Sequence, residues 1–172
     1  MNSDDLLRMK ILIVDDEPAN VALLQEILYE NGYARIEAIG DSKLVLELCK
    51  KFQPDLILLD LMMPPPDGFA ILESLRAENG ESFLPVVVLT ADTNEETKRR
   101  ALEAGATDFL LKPFDHIEVA LRIRNLLKSR SAHLLLDNQR AALEEAIRER
   151  TSELRATIAD LQKTNELLAQ DV

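Results

Sequence analysis

Five polar residues stand directly after short apolar runs. Asp15 and Asp16 follow Ile11–Val14, Asp60 follows Leu56–Leu59, Thr90 follows Val86–Leu89, and Lys112 follows Phe109–Leu111. If the runs are strands of one parallel sheet, these side chains meet outside its carboxyl edge, where such sheets collect their ligands. Three carboxylates resist crowding together ionised unless a cation is present. Carboxylate, carbonyl and water oxygens suit Mg²⁺, which takes octahedral oxygen ligation. Beside such a metal an aspartate becomes a nucleophile toward a phosphoryl group. A hydroxyl and an ammonium would then neutralise the transferring oxygens from other sides. Singly, each residue has a plainer reading. Asp15-Asp16 before Glu17-Pro18 resembles a helix start, Asp60 a strand end, Thr90 a cap, and Lys112 a solvated charge. Their coincidence at four strand ends favours the chemistry.

The elements that would position them are legible from periodicity. Ile11–Val14, Ile36–Ile39, Leu56–Leu59, Val86–Leu89 and Phe109–Leu111 read as strands. Ile11–Val14, Leu56–Leu59 and Val86–Leu89 are each four apolar residues in a row, as strands buried on both faces are. Between them, helical spacing covers Pro18–Glu30, Ser42–Lys51, Asp67–Ala77 and Thr93–Ala104, with Gly105 as a stop. Five strands alternating with helices predict an α/β fold with right-handed crossovers and a doubly wound parallel sheet. From Phe114 onward there is neither Gly nor Pro, so the last helix has no stop. A compact domain over residues 1–128 and an extended helix over 129–172 are expected.

A net charge of -11 argues against direct binding to nucleic acid or anionic membranes. Trp is absent and aromatics are 4% of the chain, which leaves no base-stacking platform. Cys49 is the one cysteine; it reads as a packing residue and permits no intrachain disulfide. No apolar run reaches membrane-spanning length and residues 1–10 lack signal-peptide character, so a cytoplasmic protein is expected.

"ILIVDDEP", "PDLILLDLMMPPPDG", "PVVVLTA" and "DFLLKPF" occur in that order. With their spacing, roughly Lys10–Lys128 resembles the response-regulator receiver domain of two-component signalling. The resemblance implies a flavodoxin-like strand order 2-1-3-4-5. It implies Asp60 as phospho-acceptor, with Mg²⁺ bound by Asp16, Asp60 and the backbone carbonyl of Met62, and by Asp15 through water. Thr90 and Lys112 would bind the phosphoryl oxygens, and Ala91 would leave room for them. Phe109 occupies the aromatic switch position, which responds when Thr90 shifts, and the bond before Pro113 would be cis. The partner would be a histidine kinase or a phosphotransfer protein. Met62 and Asp92 stand where the family tunes loss of the phosphate. Met62 cannot orient water, Asp92 could, and slow to moderate loss is expected.

Beyond Ile147 the spacing alternates four and three: Ile147, Thr151, Leu154, Ile158, Leu161, Asn165, Leu168, Val172. This is the seam of a parallel two-stranded coiled coil, with Asn165 at a position where a buried Asn fixes register and dimeric state. Upstream, Leu143 to Ile147 breaks phase, as a stutter does. Arg150 and Arg155 would face each other across such a dimer. The alternative is an amphipathic helix packed on another domain. His116 and His133 are the two histidines; His133, in "SAHLLLDN", lacks the acid that follows the phospho-accepting His of histidine kinases, so neither that role nor a zinc site is expected. The tail is similar to connectors leading into histidine-kinase, cyclic-di-GMP phosphodiesterase (HD-GYP) or cyclase modules, so a longer protein with an output module is expected. The reading is a phosphorelay receiver on a dimerising signalling helix, with no enzymatic turnover beyond gain and loss of its own phosphoryl group. Its rivals are a phosphorylation-independent scaffold and an aspartyl-nucleophile phosphatase. The phosphatase is disfavoured because Met62 stands where a second acid is needed.

Overall fold

A computed structural model describes residues 3–80 and 82–170. Val172, the last residue of the expected seam, lies outside them. Its elements run α1 (Ser3–Leu7), β1 (Lys10–Val14), α2 (Pro18–Glu30), β2 (Arg35–Ile39), a 3₁₀ turn (Ser42–Leu44), α3 (Val45–Phe52), β3 (Leu56–Asp60), α4 (Gly68–Asn79), β4 (Val86–Thr90), α5 (Glu95–Glu103), β5 (Asp108–Leu111) and α6 (His116–Gln170). All strand pairs are parallel, in the order β2-β1-β3-β4-β5, the doubly wound, flavodoxin-like arrangement expected.

Burial explains the sequence pattern. Every residue of β3 and β4 is buried, as are Ile11–Val14 of β1; these are the continuously apolar runs. The edge strands β2 and β5 are only partly covered. Leu12, Val14, Ile57, Leu59, Val86 and Val88 form the heart of one core cluster with Ile71, Leu72 and Leu75 of α4. At ~25 cal/mol per Å² of apolar surface, each such side chain contributes about 1.5–3 kcal/mol against conformational entropy.

The helix starts carry their own signals. Pro18 opens α2; the Asp67 carboxylate accepts from the Ala70 amide at 2.9 Å at the start of α4, and Asn94 accepts from the Glu96 amide at 3.0 Å at the start of α5. The stretch from Ser42 begins as a 3₁₀ turn capped by Asp41 and becomes α-helical only at Val45. α1 has no counterpart in the periodicity of the sequence. Five residues are too few for a periodic signal, yet Leu6 and Met9 are buried.

The chain divides into two compact units between Ser131 and Ala132, three residues beyond the expected limit at 128. The first unit reaches past 128 because the Arg130 side chain, 12% exposed, packs into it. The guanidinium donates to the Phe83 carbonyl and lies 3.8 Å from Asp55. The second unit is helical from Ala132 to Gln170. On it Leu136, Leu143, Ile147, Leu154, Ile158, Leu161 and Leu168 are exposed large apolar residues, and Asn165 is exposed with them.

Candidate functional site

The strand order reverses beside β1: the chain leaves β1 for β2 on one side and returns to β3 on the other. The two crossovers diverge there and leave a crevice above the carboxyl ends of β1 and β3. Asp15 and Asp16 end one strand and Asp60 ends the other. Their ligand oxygens all lie within 4.8 Å of one another. Asp15 and Asp60 are buried, at 1% and 3% exposure, whereas Asp16 is exposed. A hard cation fits this all-oxygen cluster, open to water on the Asp16 side.

Lys112 reaches the cluster from β5. Its Nζ lies 3.0 Å from Asp15 Oδ2 and 3.2 Å from Asp60 Oδ1, so one ammonium spans two buried carboxylates. Burial pushes the Asp60 carboxyl above its usual range and the Asp15 charge adds to this. The Met62 amide, which donates to Asp60 Oδ1 at 3.2 Å, and Lys112 oppose it. Thr90 is buried at the end of β4, and its hydroxyl oxygen accepts from the Asp92 amide at 3.0 Å. The Lys112–Pro113 peptide bond is cis, and so is Pro65–Pro66. Met62 is 77% exposed on the loop after Asp60. It brings an amide toward the carboxylate but no side-chain donor.

Sequence reasoning missed Asn20. Its amide donates to both Asp15 oxygens, at 3.1 and 3.4 Å, while the Glu17 amide donates to Asp15 Oδ1 at 2.9 Å. Asp15 therefore also satisfies the start of α2. An Asn on the first turn of the helix after Asp15-Asp16 was the available signal. Asp92, weighed as a water-orienting group, is otherwise engaged. Its carboxylate accepts from Thr97 Oγ1 at 2.6 Å and from the Asn94 amide at 2.8 Å, which holds it to the start of α5. Phe109 is half-buried on β5 between the Lys98 ammonium, 4.8 Å from its centroid, and the Arg122 guanidinium, at 5.8 Å. Cys49 is half-buried and its thiol is pushed up to about 11 by burial, which suits packing. A cavity of about 560 Å³ lies by Lys10, Asp55 and Arg130 and shares no residue with the carboxylate cluster.

The profile of the response regulator receiver domain matches residues 11–124. This chain belongs to that family. Receiver domains bind Mg²⁺ through such acidic clusters and interact with histidine kinases or phosphotransfer proteins. Among solved structures, the receiver domain of Francisella response regulator 1452 is 33% identical at a TM-score of 0.65, covering 71% of this chain and 98% of that one. The chemotaxis protein CheY4 of Vibrio cholerae is 30% identical at 0.63, covering 70% and 98%. The Escherichia coli transcriptional regulatory protein PcoR is 42% identical over 119 residues, 69% of this chain and 51% of that protein. A probable cyclic di-GMP phosphodiesterase of Vibrio cholerae is 32% identical over 154 residues, 90% of this chain and 34% of that protein. The chain thus spans about a third to about half of these two relatives. No helix among the described residues is long and apolar enough to cross a membrane.

Proposed function

We propose that Asp60 accepts a phosphoryl group from a histidine kinase or phosphotransfer protein, and that the phosphorylated state is relayed through the C-terminal helix. The observation that carries this is the meeting of Asp15, Asp16 and Asp60 within 4.8 Å at the strand reversal, with Lys112 between two of them. Asp16, Asp60 and the Met62 carbonyl would hold Mg²⁺, with Asp15 reached through water. When bound, the metal supplies positive charge between the carboxylates and the incoming phosphoryl group. An Asp60 oxygen forms the new P–O bond as the donor's P–O or P–N bond breaks, and the donor keeps the electron pair. Lys112 exchanges a carboxylate for a phosphoryl oxygen. Thr90 turns its hydroxyl from the Asp92 amide toward another. Neither Met62 nor the engaged Asp92 is free to orient a hydrolytic water, so the phosphoryl group outlasts seconds at room temperature.

The relay would act through a homodimer. An exposed stripe of Ile147, Leu154, Ile158, Leu161 and Leu168 is what a second copy covers in a two-stranded coiled coil, with Asn165 setting register. The Arg150 charge, an obstacle to pairing, is taken up within its own helix by Glu153 at 2.9 Å. The likeness to the Vibrio cholerae phosphodiesterase favours such an enzyme as the output module. That match spans 154 of 172 residues, so it reaches at least to Leu154. The PcoR match spans 119, little more than the receiver.

The test is intact mass after incubation with acetyl phosphate and Mg²⁺, for the wild type and Asp60→Asn. Gain of one phosphoryl group by the wild type only is expected. Equal gain by both would overturn the assignment of Asp60, and gain by neither would favour a scaffold.

A further inference from the structure

Thr90 and Phe109 make no direct polar contact with each other, yet a continuous set of bonds joins them. The Asp92 amide donates to Thr90 Oγ1 at 3.0 Å. The Asp92 carboxylate accepts from Thr97 Oγ1 at 2.6 Å, on the first turn of α5. The next residue, Lys98, places its ammonium 4.8 Å from the centre of the Phe109 ring. On the ring's other helix, Arg122 lies at 5.8 Å, itself fixed by Asp108 at 2.7 Å and Glu118 at 2.8 Å. Arg122 is thus tied to its own acids, whereas no carboxylate among the described residues pairs with Lys98 within salt-bridge distance.

We propose that Lys98 and Thr97 are positioning residues that hold the unphosphorylated arrangement. Thr97 latches Asp92, whose amide keeps the Thr90 hydroxyl turned from Asp60, and Lys98 holds the Phe109 ring where it stands. This deepens the proposed function and rests on it. The physics is a population shift. A phosphoryl group that draws Thr90 away must break the Asp92 bond, which frees the loop into α5 and with it the residue that carries Lys98. Interactions present only in the resting arrangement lower the apparent affinity for anything that requires the other one. A cation over a phenyl ring at a partly exposed site corresponds to about a two- to five-fold change in that equilibrium. Phe lacks a hydroxyl, so this contact restrains the ring where a tyrosine could hydrogen-bond instead.

The sign separates this from ordinary electrostatics. Removing a cation near an anion site weakens anion binding, and a purely damaging substitution also weakens it. Removing Lys98 as a restraint strengthens binding. The experiment uses the full chain labelled with 4-fluorophenylalanine, titrated with beryllofluoride and Mg²⁺ and followed by ¹⁹F NMR. There are five Phe residues, and Phe109→Leu assigns the resonance. Lys98→Met and Thr97→Val are expected to bind beryllofluoride about two- to five-fold more tightly, with the unliganded Phe109 resonance moved toward its bound position. Lys98→Arg, which keeps a cation, should restore wild-type affinity. Equal or weaker binding by Lys98→Met, with the wild type binding normally, overturns the proposal and leaves the receiver reading intact. A wild type that binds no beryllofluoride overturns both.

Discussion

Gly68 is the most demanding residue of the site that carries no functional group. It opens α4 directly beneath the carboxyl end of β3. A Cβ there would meet the Asp60 carbonyl oxygen and lie 2.6 Å from Leu61 Cα and 3.0 Å from the Asp60 carbonyl carbon. These atoms are backbone at the end of a fully buried strand and cannot swing aside as a side-chain end would. Ordinary contact is about 3.5 Å, so Gly68→Ala must separate the start of α4 from Asp60 by roughly 1 Å. Forcing a methyl into packed surroundings costs about 1–3 kcal/mol, and at ~3–5 °C per kcal/mol for a unit of this size that lowers Tm by about 3–15 °C. A 1 Å displacement of a reacting group costs on the order of 10²-fold in rate. Gly68→Ala is therefore expected to slow phosphorylation by acetyl phosphate by about ten- to a hundred-fold, even well below its Tm. Gly80→Ala is the control: its added Cβ meets nothing within 4 Å, although its φ of +55° strains any side chain. It should lose about 1 kcal/mol of stability and phosphorylate like the wild type. Differential scanning calorimetry and intact-mass time courses read both quantities. If Gly68→Ala kept the wild-type Tm and a rate within two-fold, the close approach of α4 to Asp60 would be wrong.

Three further outcomes follow from the charges and the helix. Burial raises the Asp60 carboxyl above its ordinary value of 3.8, so the folded state holds that proton more tightly than the unfolded chain, and stability falls as pH rises through the raised value. Asp60→Asn should have a higher Tm than the wild type at pH 7 and lose this advantage as the buffer approaches pH 4; a lower Tm at pH 7 would contradict that sign. Lys112 lies between Asp15 and Asp60 and competes with any cation for them, so Lys112→Met should bind Mg²⁺ more tightly by calorimetry, while losing the charge proposed to neutralise the phosphoryl group. Asn165→Val should stabilise helix association yet broaden the distribution of oligomers in sedimentation velocity. An unchanged, sharply monomeric boundary in both proteins would remove the dimer.

Several features of this chain are legible in its amino-acid sequence alone. β1, β3 and β4 announce themselves because a strand buried on both faces has no room for polar residues. The start of α2 is legible too, since Pro18 suits the first position of a helix. The placement of the candidate site is legible for a related reason: in a doubly wound sheet the residue after each apolar run must emerge at one edge, so Asp15, Asp16, Asp60 and Lys112 can be placed together, and Thr90 at the same edge, without knowing a distance. The tertiary structure decided what those side chains touch. Lys112 and Asp15 are 97 residues apart, and nothing local says that one ammonium spans two carboxylates. The Asn20 bonds to Asp15, the Thr97 hold on Asp92, the Lys98 contact with Phe109 and the Arg130 bond to the Phe83 carbonyl have the same origin. Polar side chains on helices look solvated in a one-dimensional pattern, and only the packing of those helices on the sheet brings their ends to a partner. Periodicity reports which face of an element is buried; it carries no record of which neighbour buries it.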